Sequence, residues 1–494
     1  MPLPPLDPLR ALEALGGFEQ QHFYWEQPNE GLAIAAAAPC ASVQFHGPDR
    51  FQRSQIFLRN CIAATLVVGP LTLDRPPLNL ANLADLDPTA PELAAPDPID
   101  LPFAGPHFYC SFTFFDTSTP AGCFPPATLF LPGWQVVRRR DRQGKFHCSF
   151  VAHVPLQLGS VDRDDARQAW EQYQMLRYDL PRRSPTPPRS TRTPLQPPAA
   201  VSLDPAAAAA FQQSVTAVLK TIAQGRLHKV VLAHPLRVTL DQPISALTAL
   251  AALRQRHPEC HIFSVGGGIQ GGGQGGSQVQ SCPIFLGASP ERLLRVRDGV
   301  RGAGEDRQLQ TEAIAGSTPR GQTAAEDQAL AAQLLASPKE QHEHRLVSRF
   351  IVETLRQLGL NPTYAPRPQV LKLASIQHLQ TPIHCDLPEH LHPLELLAKL
   401  HPTPAMAGVP QPLACEQIRQ LERFERSLYA APIGWIDAQG NCDFCVGIRS
   451  ALIEGNQAQL FAGAGIVQGS QPQLELAEVV LKLRTLLAVL TGQR

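Results

Sequence analysis

The sequence lacks any apolar run long enough to cross a bilayer, and it carries no net charge. A membrane-spanning helix needs roughly 20 predominantly apolar residues in succession, and no such run occurs. Lys and Arg together number 43, as do Asp and Glu. This balance argues against a protein that bulk charge holds to nucleic acid or to a membrane surface. We therefore expect no nucleic-acid and no membrane partner, and an anionic ligand would need a local group of cations.

Patterns of an exported protein are also missing. The 11 cysteines are an odd number without framework spacing, which is typical of reduced thiols in a cytosol-like compartment. The opening MPLPPLDPLRALEAL has no basic segment followed by an apolar one, so we expect no signal peptide and a cytoplasmic location. Cys442 and Cys445 form one CxxC pair without a second pair. We interpret them as packing residues and not as zinc ligands.

The chain divides into stretches of different composition. Residues 1–180 alternate short apolar runs with proline-rich connectors, which predicts strands, among them 57–68. Residues 181–203 are rich in Pro and Arg, as is typical of an exposed linker. Residues 204–494 alternate helical and strand patterns and hold the candidate chemistry. Within them, 266–280 is rich in Gly and Gln, lacks the spacing of a nucleotide-binding loop, and is interpreted as a flexible insertion.

The last strong pattern of the chain joins a glycine-rich turn to an amphipathic helix. Gly463 and Gly465 would let backbone N–H groups come close to an anion. Glu475, Glu478 and Lys482 then share one stripe of the helix, while Leu and Val residues line another. One interpretation is a closing helix with a solvated charged face. The other is that these carboxylates hold a metal ion that bridges to the same anion.

Four other ionisable residues stand in contexts that suit catalysis or binding. Lys229 begins the apolar strand KVVLA, where desolvation would favour a neutral amine that acts as a general base. Glu291 follows a proline-fixed turn between two strands, where a raised pKa would suit a general acid. Glu343 borders the core face of a helix and is a candidate metal ligand. Arg449 interrupts the apolar run VGIRSAL, and an inward arginine needs an anion such as a carboxylate.

Each of these residues also has a plain structural interpretation. Lys229 could be a strand-end lysine whose stem is buried and whose amine is in water. The two glutamates could be exposed turn or rim charges, and Arg449 could face solvent on an edge strand. Local context alone leaves both interpretations open for all four residues.

Taken together with their neighbours, these residues resemble the chorismate-utilising enzymes over about 206–489. The matching stretches, in the family's order, are KVVLA (229–233), FLGASPERL (285–293), AIAGSTPRG (313–321), LLASPKEQHEHRLV (334–347), HLQTP (378–382), LHPTPAMAG (400–408), IGWID (433–437) and FAGAGIV (461–467). The resemblance implies an α+β fold, a large α/β/β/α sandwich. It also implies that residues 1–180 are the variable front half of that fold.

Within the family, the sequence is most similar to isochorismate synthases, which convert chorismate to isochorismate with Mg²⁺. In that reaction water attacks C2 and the C4 hydroxyl leaves. The resemblance implies that Lys229 is the general base, that Glu291 is the general acid, and that Glu343 and Glu478 hold Mg²⁺. The positions that match the family's substrate pocket are Gly316, Ser317, His378, Ala405, Arg449, Gly463, Gly465 and Lys482.

The same residues also discriminate between isochorismate synthases and related enzymes of the family. Anthranilate and aminodeoxychorismate synthases use ammonia and typically carry glutamine where Lys229 stands, and the latter often carry lysine where this chain has Ala315. Salicylate synthases keep the lysine and then eliminate pyruvate, so that alternative stays open. A catalytically silent binding protein is disfavoured because all four chemical residues are present.

Two departures from the family pattern concern the pocket, since His234 stands where relatives commonly have arginine and Ala431 where they commonly have glycine. The long front half is most like members that feed menaquinone or phylloquinone synthesis. Salicylate and siderophore pathways stay open as alternatives, and so does the oligomeric state.

Overall fold

The computed structural model describes residues 1–65, 105–118, 122–141, 143–157, 160–161, 163–180, 204–267, 282–298 and 307–491. The ten α-helices among these residues are α1 (Pro8–Ala14), α2 (Arg50–Ala63), α3 (Arg163–Gln174), α4 (Pro205–Ala223), α5 (Ala246–Arg256), α6 (Ala324–Ala336), α7 (Pro338–Gln357), α8 (Pro393–Leu400), α9 (Gln411–Leu421) and α10 (Pro472–Leu490). The strands are β1 (Pro2–Leu3), β2 (His22–Gln27), β3 (Leu32–Phe45), β4 (His107–Phe112), β5 (Ala127–Arg140), β6 (Phe146–Ala152), β7 (Leu156–Gln157), β8 (Ser160–Val161), β9 (Lys229–Thr239), β10 (His261–Gly266), β11 (Ile284–Ser289), β12 (Arg292–Arg297), β13 (Arg307–Pro319), β14 (Thr363–Tyr364), β15 (Gln369–Lys372), β16 (Ile376–Leu387), β17 (Gly408–Val409), β18 (Pro432–Asp437), β19 (Cys442–Val446), β20 (Ser450–Glu454) and β21 (Gln457–Val467).

The large antiparallel sheet divides at β5. One side of β5 pairs with β3, while its other side pairs first with β4 and then with β6. From β3 the sheet continues through β2, β10, β11, β20, β21 and β9 to β17. From β4 it continues through β18, β19, β12 and β13 to β16. Every pairing is antiparallel, so short connections suffice.

The two branches of the sheet face one another across the core. Phe23 on β2 stacks on Tyr109 on β4 with ring centroids 4.6 Å apart. Trp25 on β2, Trp134 on β5 and Trp435 on β18 are fully buried. Helices α4 and α10 pack on β9 and β21 of one branch, whereas α6 and α7 pack on β13 and β16 of the other. The expected α+β class and its α/β/β/α layering are therefore confirmed.

The strand predicted at 57–68 is wrong. Residues up to 63 belong to α2, and those beyond 65 lie outside the described part of the chain. The buried side chains of α2 recur at helical spacing, at Arg50, Phe51, Ser54, Gln55 and Leu58. A short apolar run does not distinguish a buried helix from a strand. In α2 several residues of the buried face are polar, so the apolar residues alone do not show the helical period of 3.6.

Two sequence-based predictions concern residues that the structure does not describe. The Pro/Arg-rich linker at 181–203 lies outside the described residues, and so does nearly all of the glycine-rich insertion at 266–280. In the described part of the chain, no helix is both long enough and apolar enough to span a membrane.

Two strand pairs and two helices position the candidate residues. Antiparallel pairing of β9 with β21 sets Lys229 opposite Val467, two residues from Gly465. The β13–β16 pair sets Ser317 opposite His378, just after a register shift at Gly316, whose φ is 81°. Such bulges re-aim side chains. α7 begins at a serine cap followed by proline, and α10 also begins with proline, which suits the first helical turn.

Candidate active site

The proposed base and one proposed metal ligand are in direct contact. Lys229 is 1% exposed, and its Nζ lies 2.9 Å from Glu343 Oε1. The missing side chain at Gly465 makes this contact possible. A Cβ at that position would overlap Glu343 Oε1 and would lie 3.1 Å from Lys229 Cε. The requirement for glycine at 465 is therefore steric, because a carboxylate from α7 and an amine from β9 meet over the backbone of β21.

Glu291 lies in the turn between β11 and β12 and is 3% exposed. Burial raises the pKa of its carboxyl to about 8, the negative charge of Glu312 adds to this rise, and the positive charge of Lys229 opposes it. The turn is fixed from both sides, since Glu291 N donates to Ser289 Oγ at 3.3 Å and Val446 N donates to Glu291 O at 3.1 Å. Because its pKa of about 8 lies above 7, the Glu291 carboxyl is mostly in its neutral acid form at pH 7.

The second proposed metal ligand is paired with a lysine on its own helix. Lys482 Nζ donates to Glu478 Oε1 at 2.6 Å and to Gly463 O at 2.9 Å. Burial opposes ionisation of Glu478, but the charge and hydrogen bond of Lys482, together with the charge of Lys339 and a hydrogen bond from Ser317, hold the pKa of that carboxyl below its usual value. α10 and β21 are thereby connected through one ammonium group, and the Gly463 carbonyl, not its N–H, makes the contact.

Two more carboxylates border this group. Glu340, which the sequence analysis missed, accepts a hydrogen bond from Ser317 N at 3.0 Å. Glu475 accepts one from Lys339 Nζ at 2.9 Å, and the same ammonium lies 3.4 Å from Glu340 Oε1. Burial raises the pKa of Glu340, and the negative charge of Glu343 raises it further. Glu340 precedes Glu343 by three residues on α7, so the helical period could have indicated that both share a face.

His378 connects the β13 turn to Arg449. Its Nδ1 lies 3.0 Å from Ser317 Oγ, and its Nε2 lies 3.1 Å from Arg449 Nη2. Burial and then the Arg449 charge hold the pKa of His378 well below its usual range, so the ring is neutral. A guanidinium can only donate, so Nε2 accepts and the proton is on Nδ1, which donates towards Ser317. His378 therefore orients the arginine without adding charge.

Arg449 is partly buried, and one of its buried donors is unused. Among the residues that the structure describes, its Nη1 has no hydrogen-bond partner. It lies just before β20 and not within a strand, with a left-handed φ of 48°. Its carbonyl accepts from Ala288 N at 3.1 Å, and glycine at 287 leaves room because a Cβ there would lie 2.7 Å from that oxygen. A buried guanidinium donor without a partner costs about 1–3 kcal/mol, which an anionic ligand would recover.

The remaining positions lie at the margin of this group. Ala405 is partly buried between α8 and β17, close to Ala407, whose carbonyl accepts from Val231 N at 2.7 Å. His234 points to the opposite face of β9 from Lys229, and its ring lies 6.2 Å from that of Phe211 on α4. The His234 departure from the family pattern therefore lies on the helix side of β9. Ala431 is fully buried, and its carbonyl accepts from Gly447 N at 2.8 Å.

The donor set fits a hard divalent cation. Glu343 and Glu478 offer carboxylate oxygens, and Glu340 and Glu475 stand near them. Negative charge on Glu343 and Glu478 raises the pKa of Glu340, and negative charge on Glu478 raises that of Glu475, after burial in both cases. Carboxylates that repel one another at one place favour a bound cation, and Mg²⁺ takes such oxygen ligands together with waters and substrate oxygens.

Comparisons with known proteins identify the family to which this chain is similar. The family model described as "Chorismate binding enzyme" matches residues 1–81 and 85–491. The salicylate biosynthesis isochorismate synthase of Pseudomonas aeruginosa is 33% identical over 99% of this chain and 88% of its own length. An isochorismate synthase of Bacillus subtilis is 36% identical over 57% of this chain and 55% of its own length.

Solved structures show the same fold. The menaquinone-specific isochorismate synthase of Escherichia coli superposes with a TM-score of 0.68 at 26% identity, over 99% of this chain and 93% of that one. Anthranilate synthase component I of Streptococcus pneumoniae superposes with a TM-score of 0.62 at 20% identity, over 92% of each chain, which concerns the fold alone. Since the family model and the Pseudomonas relative both span nearly the whole sequence, this chain belongs to the chorismate-binding enzyme family.

Proposed function

We propose that the protein is an isochorismate synthase, an isomerase that converts chorismate to isochorismate by attack of water at C2 and loss of the C4 hydroxyl. The observation that carries this proposal is that a buried amine, Lys229, lies near enough to a buried carboxyl, Glu291, for its charge to affect the pKa of that carboxyl, which is about 8. Water is a weak nucleophile and hydroxide a poor leaving group, so the reaction needs both a base and an acid.

The proposed roles balance protons and atoms. In the step proposed here Lys229 acts as the neutral amine and accepts a proton from the attacking water, and Glu291 donates its proton to the departing C4 hydroxyl, which leaves as water. One water enters and one leaves, so the net change is an isomerisation. Glu291 ends ionised and Lys229 ends protonated. Their opposite charges stabilise each other until proton exchange with solvent restores both groups.

The substrate is a dianion, and the pocket offers fixed positive charge for it. The free Nη1 of Arg449 suits one carboxylate, and Lys482 adds a second cation beside Gly463. Glu343 and Glu478 would hold Mg²⁺, which, when bound, supplies Lewis-acid stabilisation of negative charge at the ring carboxylate. Because the net charge of the chain is zero, these local groups account for recognition of the anion.

A product assay tests this proposal against its closest alternatives. Purified protein with chorismate and Mg²⁺ should form isochorismate without pyruvate, and added ammonium should give no aminated product. Stoichiometric pyruvate without an added lyase would identify a salicylate synthase instead. Lys229→Ala should lower isochorismate formation to near background, and a rate near that of the wild type would contradict the assignment of the base.

Two observations favour different fates of the product. The long front half of the sequence favours menaquinone or phylloquinone synthesis, whereas the Pseudomonas relative that matches the full chain is named for salicylate biosynthesis. Deletion of the gene, followed by measurement of cellular quinone and salicylate, separates these fates. We also propose a cytoplasmic location, which the free thiols of all 11 cysteines support.

The proposed front half at 1–180 is joined to the proposed chorismate-binding region at 204–494 by strand pairing. β2 pairs with β10 and β4 pairs with β18. These pairings support treating the front half as part of the same fold and not as a separate module.

A further inference from the structure

The turn between α5 and β10 gathers three side chains that commonly bind metal ions. One ligand atom each from His257, Glu259 and Cys260 lies within 4.8 Å of the other two. A tight turn brings them together, since His257 N donates to Leu253 O at 2.8 Å and Cys260 N donates to His257 O at 3.0 Å. His257 is 4% exposed and Cys260 is 2% exposed, whereas the Glu259 side chain is 22% exposed, so the group extends from the interior towards the surface.

His257 has a buried ring nitrogen that is not satisfied. Its Nδ1 has no hydrogen-bond partner in the described part of the chain. The closest carboxylate oxygen, Glu259 Oε1, lies 3.9 Å away, which is beyond hydrogen-bond range. That oxygen is itself held by Ala374 N at 3.3 Å. A buried polar atom without a partner costs about 1–3 kcal/mol, and a ligand between the ring and the carboxylate would recover this cost.

A cation at this turn would need its charge to be balanced locally. His257 borders a cavity of about 20 Å³ that is also lined by Arg449 and Lys482, the two cations assigned above to the substrate. A dication beside these two positive groups needs compensation. The Glu259 carboxylate and a Cys260 thiolate together carry two negative charges, so the occupied group would be neutral.

We propose that His257, Glu259 and Cys260 form a binding site for a divalent cation of the zinc class. Nitrogen, oxygen and sulfur donors in one group are typical of zinc and its neighbours, whereas Mg²⁺ prefers oxygen alone. This site shares no residue with the proposed magnesium ligands. On binding, the Cys260 S–H bond breaks, a metal–sulfur bond forms, and the proton passes to solvent.

Cobalt(II) is a suitable probe because a thiolate bound to it absorbs in the near ultraviolet. Full-length reduced protein, kept in excess Mg²⁺ so that the carboxylate group is saturated, is titrated with Co²⁺. We expect a thiolate-to-cobalt absorption band that saturates near one equivalent and disappears when one equivalent of Zn²⁺ is added. Absence of the band in the wild-type protein overturns the proposal.

Variants locate the site. Cys260→Ser should abolish the band. His257→Gln should weaken cobalt binding by about tenfold or more, because loss of a residue that only hydrogen-bonds to a metal ligand already lowers metal affinity by about that factor. The matched control is Cys415→Ser, which removes a half-buried thiol elsewhere on α9 and should leave the band intact. A band that persists in Cys260→Ser, or that is lost in Cys415→Ser, refutes the assignment. Circular dichroism confirms that each variant is folded, and His257→Gln provides the test if Cys260→Ser is not.

Discussion

Replacing Glu291 by glutamine should stabilise the folded protein at neutral and alkaline pH while abolishing isomerisation. The carboxyl is buried, and its pKa rises from 4.5 to about 8 in the folded state. Glutamine fills nearly the same volume and can still form hydrogen bonds, but it has no acidic proton to transfer to a leaving group. The variant therefore separates the cost of burying an ionisable group from the benefit that its acid function gives to catalysis.

The magnitude follows from the pKa. Each unit of difference between the folded and unfolded states is worth about 1.4 kcal/mol, so the full rise corresponds to about 5 kcal/mol. Because the folded-state pKa is the higher one, the contribution of Glu291 to stability is fully present below pH 4.5 and is lost as the pH rises through 8. The free-energy difference between Glu291→Gln and the wild type should grow by about 1.4 kcal/mol per pH unit in this window and then level off.

Urea unfolding followed by tryptophan fluorescence between pH 5 and 9, at intervals of about one unit, measures this difference. Glu13→Gln is the matched control, since Glu13 is exposed on α1. A difference between Glu291→Gln and the wild type that does not change with pH would refute the claim that Glu291 is buried and neutral. In the wild type, kcat/KM should fall about tenfold per pH unit above the pKa of about 8, as the acid ionises.

Three further substitutions test the rest of the site. Gly465→Ala should raise the Mg²⁺ concentration needed for half-maximal activity by about tenfold or more, because its Cβ would displace Glu343 Oε1. The control Gly105→Ala should leave this concentration unchanged, because its Cβ would have no neighbour closer than 4.0 Å. Equal effects of the two substitutions would contradict the steric argument. Arg449→Lys should raise KM for chorismate about tenfold or more with a smaller change in kcat, since a lysine cannot bind a carboxylate through two nitrogens; an unchanged KM in steady-state assays would count against the anion site. Glu478→Gln should weaken the Mg²⁺ dependence of activity while leaving the melting temperature close to that of the wild type, and a variant that unfolds would indicate a structural role.

Local chemistry was sufficient to predict several elements near the site. At the start of α7, the Ser337 cap and Pro338 in the first turn satisfy local backbone requirements, so such a helix start can be predicted from a few adjacent residues. The turn before Glu291 separated two apolar runs and was found between β11 and β12 as expected. Polar residues on the buried face of α2 made the helix unrecognisable from the apolar pattern. The apolar run around Arg449 suggested a strand, although Arg449 has a left-handed backbone. Those features depend on packing partners that are distant in sequence.

The sequence by itself determined the family, the α+β class, and the types of residue available for acid, base and metal chemistry. Tertiary structure alone decided how those residues act on one another. Lys229 and Glu343 are more than a hundred positions apart, yet their side chains touch over Gly465. The raised pKa of Glu291 comes first from burial and then from Glu312. Desolvation and charge proximity are properties of the assembled layers, so no local pattern in the chain encodes them.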